Sequence, residues 1–178
     1  MVEIIFETHS TTTDNENDIA SGWADSALSG LGISQAKQLR ERYKNIHLDA
    51  VFCSDLKRSY ETAEIAFGNK FPIIKDSRLR ECNYGKLTMI STEALKKQKA
   101  NYINKPFPNG ESYDETTEKV RAFLKDLIGR YDSKKVMIIG HRATQYGLEH
   151  LINKVLLEEA VLASWKWQPG WTYKLEIS

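Results

Sequence analysis

Two histidines stand just beyond short apolar runs. His9 follows the run at residues 2–6, and His141 follows the run at 136–139 after a single glycine. Charged side chains recur in the same kind of place. Arg58 lies beyond residues 50–53, Glu81 lies beyond 71–74 with Arg78 and Arg80, and Arg142 adjoins His141. A neutral imidazole is a competent nucleophile near pH 7, because its unperturbed pKa is about 6.5. A guanidinium grips phosphoryl oxygens through a two-pronged fork. A carboxyl group with a raised pKa can protonate a leaving alkoxide. Together these groups suit phosphoryl transfer, which needs stabilisation of charge more than covalent rearrangement.

The elements that must position them can be read from the pattern. The four apolar runs are short and rich in β-branched residues, as buried strands are. Between the first two, residues 34–43 carry Ala36, Leu39 and Tyr43 on a helical stripe, with Ser34 as the expected N-cap. Residues 56–66, 112–131 and 142–157 also read as helices, and 171–177 alternates as a half-buried strand does. Strands alternating with helices predict an α/β fold, a three-layer αβα sandwich around a mostly parallel sheet. Ligands of such sheets bind at the carboxyl ends of the strands, where the histidines and arginines are. Residues 86–108 are the least regular segment, a candidate helical insertion over the site, with Lys96, Lys97 and Lys99 read as a solvated face.

Composition narrows the classes. The 178 residues fit one domain, 1–178, and the formal net charge of +1 gives no global field to recruit nucleic acid. No stretch approaches the ~18 apolar residues of a membrane span. The opening MVEIIFETHS does not read as a signal peptide, and two cysteines make no disulfide framework, so a cytoplasmic setting is expected. Phosphate-binding loops of the G-x-x-x-x-G-K-[ST] and G-x-G-x-x-G kinds are missing, as is the G-x-S-x-G elbow of serine hydrolases. His9, Asp14 and His141 lack the spacing that recommends a metal site. Cys53 and Cys82 read as inert thiols, His47 and His150 as surface or helix residues, and Glu111 as a capping or dipole residue of a helix start, with substrate contact as the minority reading. Trp165, Trp167 and Trp171 read as core or sheet packing, with the edge of a substrate mouth as the minority reading.

The motifs jointly resemble the histidine phosphatase superfamily, the phosphoglycerate mutase-like group. The matching stretches, in the family's order, are THSTTTDN at 8–15, GWADSALSGLGISQA at 22–36, SDLKRSYETAE at 54–64, LRECNYG at 79–85, PNGES at 108–112 and Gly140-His141. The resemblance implies a metal-independent phosphomonoesterase without cofactor that acts on a small phosphorylated metabolite. His9 would become phosphohistidine and Arg58 would bind the phosphoryl oxygens. His141 would stabilise the phosphoryl group in flight, and Glu81 would serve as acid and then base. Asn15 would touch the phosphate, and, apart from the resemblance, the hydroxyls of Thr8, Ser10, Thr11 and Thr12 could donate neutral hydrogen bonds to it, weaker than charge-assisted ones. A phosphomutase and a weakly catalytic phospho-ligand binding protein are the alternatives, and a monomer and a homodimer both stay open.

The first motif departs from the family pattern. Thr8 stands where the family has arginine, and Ser10 where it has glycine. Arg142 replaces a small residue after the second histidine, and Glu7 is unusual beside a catalytic one. Two readings of Arg142 follow. It reaches into the pocket as the missing cation, or it pairs with Glu7.

Overall fold

The computed structural model describes residues 1–176. Five strands form one sheet: β1 (Val2–Thr8), β2 (Ala50–Cys53), β3 (Ile73–Lys75), β4 (Lys135–Gly140) and β5 (Trp171–Leu175), in the order β3-β2-β4-β1-β5. All pairings are parallel except β1 with β5. Among the described residues, the seven α-helices are α1 (Thr13–Glu16), α2 (Gly30–Arg42), α3 (Lys57–Phe67), α4 (Thr92–Gln98), α5 (Tyr113–Arg130), α6 (Arg142–Leu151) and α7 (Leu157–Leu162).

The period-two alternation of the strands divides the core and confirms three layers. Ile4, Phe6, Phe52, Val136 and Ile138 pack with Val120, Phe123 and Leu124 of α5 and Leu148 of α6. Ile5, Val51, Cys53, Met137 and Ile139 pack on the other face with Leu39 of α2 and Ala63 and Phe67 of α3. A third cluster joins the segment 86–108 to the site end of the sheet. Leu95, Ile103 and Phe107 pack there with Cys82, Tyr84, Tyr113 and Tyr146. This segment is helical in part, as expected. Lys96 and Lys97 are exposed, but Lys99 is half-buried and its ammonium donates to the Val161 carbonyl.

Several boundaries differ from the sequence expectation. The first apolar run extends through Glu7 and Thr8, so His9 begins the loop. The third strand starts at Ile73 instead of Phe71. Helix α2 starts at Gly30, capped by Ser29, whose Oγ accepts from Gly32 N at 3.2 Å, while Ser34 is an exposed interior residue. The reason is tertiary, because Ser29 N also donates to Thr11 O at 3.0 Å beside a Thr12–Leu28 bridge. The apolar pattern at 142–157 is two helices, α6 and α7, separated where Lys154 takes a φ of 63°. Ile177, the end of the expected last strand, lies outside the described residues.

The approach of α2 to the loop after β1 demands glycine at one position. A Cβ on Gly32 would lie 1.9 Å from the Thr11 carbonyl oxygen, so the loop would have to move. Gly32→Ala is therefore expected to destabilise the fold by ~1–3 kcal/mol, as core overpacking does. Urea denaturation measures this, and an unchanged midpoint would refute the contact.

Candidate active site

Strands β2, β4 and β1 are neighbours, so the loops at their carboxyl ends converge on one crevice. His9 enters it directly from β1, its backbone N–H donating to Gly140 O at the end of β4 at 3.0 Å. The His9 and His141 ring centroids are 5.1 Å apart. Nδ1 of His9 lies 2.8 Å from the Ser10 carbonyl. A carbonyl can only accept, so Nδ1 carries the proton and Nε2 presents a lone pair. Nε of Arg58 donates to that Nε2 at 3.3 Å. Burial, and then the charge of Arg58, push the His9 pKa down to about 3, which keeps the ring neutral.

Arg58 is 3% exposed and begins its helix beyond β2. Its Nη2 donates to Gly22 O at 2.7 Å and its Nη1 to Ala24 O at 3.2 Å. Gly22 holds a φ of +52°, and a Cβ there would meet the Tyr84 ring at 3.0 Å, so glycine lets this carbonyl turn to the guanidinium. His141 is 1% exposed, at the N-cap of α6. Its Nε2 lies 2.6 Å from Ser54 Oγ, and its Nδ1 is buried without a hydrogen-bond partner among the described residues. Its pKa is held well below the usual value by burial, then by Arg58 and His9. Glu81 is also buried. Its Oε1 accepts from Cys82 N at 2.8 Å and Ala143 N at 3.3 Å. Desolvation raises its pKa against the opposing effects of those amides and of Arg58 and Arg142. A carboxyl group so shifted is better able to hold a proton near neutrality.

The remaining candidates are placed less directly. Ser10 is buried and contributes through its backbone, its N–H donating to Thr62 Oγ1 at 3.0 Å while its carbonyl fixes His9. Asn15 is exposed, and its Oδ1 accepts from Thr12 N at 3.0 Å, closing a capping box on α1. Thr8 ends β1 on the face of Phe6, towards α5 and α6. Arg142 stands on that same side, exposed, with its guanidinium 4.5 Å from the centroid of Trp165.

The pairing of Arg142 with Glu7 is overturned. Glu7 faces the opposite layer with Ile5, where its Oε1 accepts from Tyr43 OH at 2.6 Å and Arg42 Nη1 at 2.9 Å. A strand residue cannot reach α6 from that face. Two bland readings also need correction. Trp167 is 57% exposed, stacked by Arg42, instead of packing in the core. Glu111 precedes the true N-cap, Ser112, and pairs with Lys119. The structure adds residues that the sequence reading gave no role: Ser54, Thr62, Trp23 and the carbonyls of Gly22 and Ala24. Ser54 follows a strand directly, so the strand-end rule could have found it. The others depend on contacts remote in sequence.

The sequence model of the Histidine phosphatase superfamily (branch 1) matches residues 4–165, and the chain belongs to that family. It is 31% identical over 150 residues to phosphoserine phosphatase 1 of Hydrogenobacter thermophilus, covering 79% of this chain and 71% of that one. It is 30% identical to an Escherichia coli protein named "Probable phosphoglycerate mutase GpmB", covering 79% and 70%. The fold matches that of Bacillus stearothermophilus YhfR with a TM-score of 0.82 at 22% identity, over 95% of this chain and 88% of that one. A mycobacterial glucosyl-3-phosphoglycerate phosphatase in complex with VO3 matches with a TM-score of 0.80 at 20% identity, over 91% and 87%.

The buried neutral histidines set a pH dependence. Because His141 has a folded pKa below its unfolded value, the unfolded chain gains a proton first as pH falls. Its stabilising contribution is present above about pH 6.5 and is lost below it, at up to about 1.4 kcal/mol per pH unit. His141→Gln does not titrate, so the stability difference between wild type and variant should shrink across that window. Denaturation series at several pH values measure it, and parallel profiles would contradict a neutral buried ring.

Proposed function

We propose that this protein hydrolyses a small phosphomonoester through a phosphohistidine on His9. The observation that carries the reading is the fixed tautomer of His9, whose Nε2 lone pair meets the buried Arg58 guanidinium. A guanidinium in contact with the attacking nitrogen lies within reach of the phosphoryl oxygens that bond to it. Nε2 attacks phosphorus and the bond to the leaving oxygen breaks, while Glu81 gives that oxygen its proton. Water then attacks the phosphohistidine, and the Glu81 carboxylate takes up a proton as the phosphate departs. The unpartnered Nδ1 of His141 supports a hydrogen-bonding role toward a phosphoryl oxygen. Asn15, held at its Oδ1, has its amide nitrogen left for the anion.

Thr8 leaves this pocket without the cation of the family motif, and Arg142, on the same sheet face, is the side chain that best supplies it. Its charge acts on both His9 and Glu81. The substitution also favours a second reading, a phospho-ligand binding protein with little turnover. The chain has two free, buried cysteines, which supports a reducing, cytoplasmic setting.

A panel of p-nitrophenyl, sugar, amino-acid and nucleotide monophosphates, with and without EDTA, tests the reading. Hydrolysis should survive EDTA and fall by roughly a thousandfold or more in His9→Ala. EDTA-sensitive turnover would contradict it, and tight vanadate binding without turnover would select the binding protein. Arg142→Ala should weaken vanadate binding by roughly tenfold or more, the weight of one charge-assisted hydrogen bond. An unchanged affinity would remove Arg142 from the phosphate site.

A further inference from the structure

Trp23 lies between the two groups that the proposed reaction must keep in register. Its neighbours Gly22 and Ala24 supply the carbonyls that hold Arg58. Its own indole Nε1 donates to the backbone carbonyl of Glu81 at 2.6 Å. One three-residue segment therefore holds both the phosphoryl-binding guanidinium and the backbone of the proton donor. The indole is itself held by two cations. The Arg80 guanidinium lies 4.6 Å from its ring centroid and is fixed to Asp55 by bonds of 2.7 and 2.6 Å. The Lys119 ammonium lies 5.2 Å from it and pairs with Glu111. Aromatic rings attract cations, so these two contacts resist rotation of the ring. Glu111 also accepts from Asn83 N at 3.3 Å, which ties the same assembly to the chain just after Glu81.

We infer that Trp23 is a positioning residue that sets the distance of the Glu81 carboxyl from the phosphoryl group held by Arg58, and so controls protonation of the leaving oxygen. The inference rests on the phosphatase reading. The chemistry distinguishes it from a general structural role. A p-nitrophenolate departs readily without a proton, whereas phenolate is more basic and gains more from an acid. A misplaced Glu81 therefore penalises phenyl phosphate and largely spares p-nitrophenyl phosphate.

The test uses Trp23→Phe, which keeps an aromatic ring beside Arg80 and Lys119 and removes the indole N–H along with the second ring. The readout is kcat/KM, which includes expulsion of the leaving group. It should fall roughly ten- to hundredfold for phenyl phosphate, as misplacement of a catalytic group by a fraction of an ångström to an ångström does. For p-nitrophenyl phosphate it should stay within about threefold, because that leaving group draws little on the acid. Vanadate affinity, which reports Arg58, should stay as in wild type. Equal losses on both esters, or no loss on either, would overturn the role of Trp23 while leaving the phosphatase reading intact. A wild-type protein that hydrolyses neither ester overturns the phosphatase reading and this inference with it. Should Trp23→Phe fold poorly, Arg80→Gln, which removes one of the two cations from the indole, is expected to show the same leaving-group discrimination in weaker form, and equal effects on both esters there would overturn the proposal.

Discussion

The site is organised by the need to satisfy one buried cation. Arg58 stands 3% exposed and forms no ion pair among the described residues. A charge taken from water without partners is costly, so its donors must find acceptors in fixed positions. Two are carbonyls of the Gly22–Ala24 turn and the third is the ring nitrogen of His9. That requirement orients the turn, His9 and the first residues of α3 together. Burial keeps His9 neutral, and the charge of Arg58 beside it adds to that effect.

The sheet decides which groups can meet. Because β4 lies between β1 and β2, the loops bearing His9, His141 and Arg58 are neighbours although far apart in sequence. Alternation along β1 separates the two unusual residues before His9. Glu7 is sent to the α2 layer, where Arg42 pairs with it and the Tyr43 hydroxyl donates to it. Thr8 is sent toward α6, where Arg142 begins the helix. The two unusual residues before His9 thus belong to different layers.

The parts of this arrangement visible in the sequence were those expressed locally. Short apolar runs revealed the strands, and residues directly beyond them revealed both histidines, Arg58 and Glu81. The start of α5 carried a local signal, the Ser112 and Glu115 capping box three residues apart, although the sequence reading turns to Glu111 for that role. What escaped was set by remote partners. Ser29, not Ser34, caps α2 because it meets Thr11 across the site loop. Glu7 finds Arg42 because of strand alternation and helix placement together, and pattern alone could not rank Arg42 above Arg142. Trp23 sits 58 residues from the carbonyl that it bonds. Its spacing from Glu81 carries no local signature. The break between α6 and α7 was hidden because apolar residues continue through Val155, Leu156 and Leu157.

The central claim is that His9 carries the phosphoryl group. Rapid acid-free quenching during turnover, followed by mass spectrometry of the peptides, tests it most directly. The account predicts a phosphate on His9 that is stable in base and labile in acid, and absent from His9→Ala. Steady turnover with no such adduct, or an adduct on another residue, would contradict it.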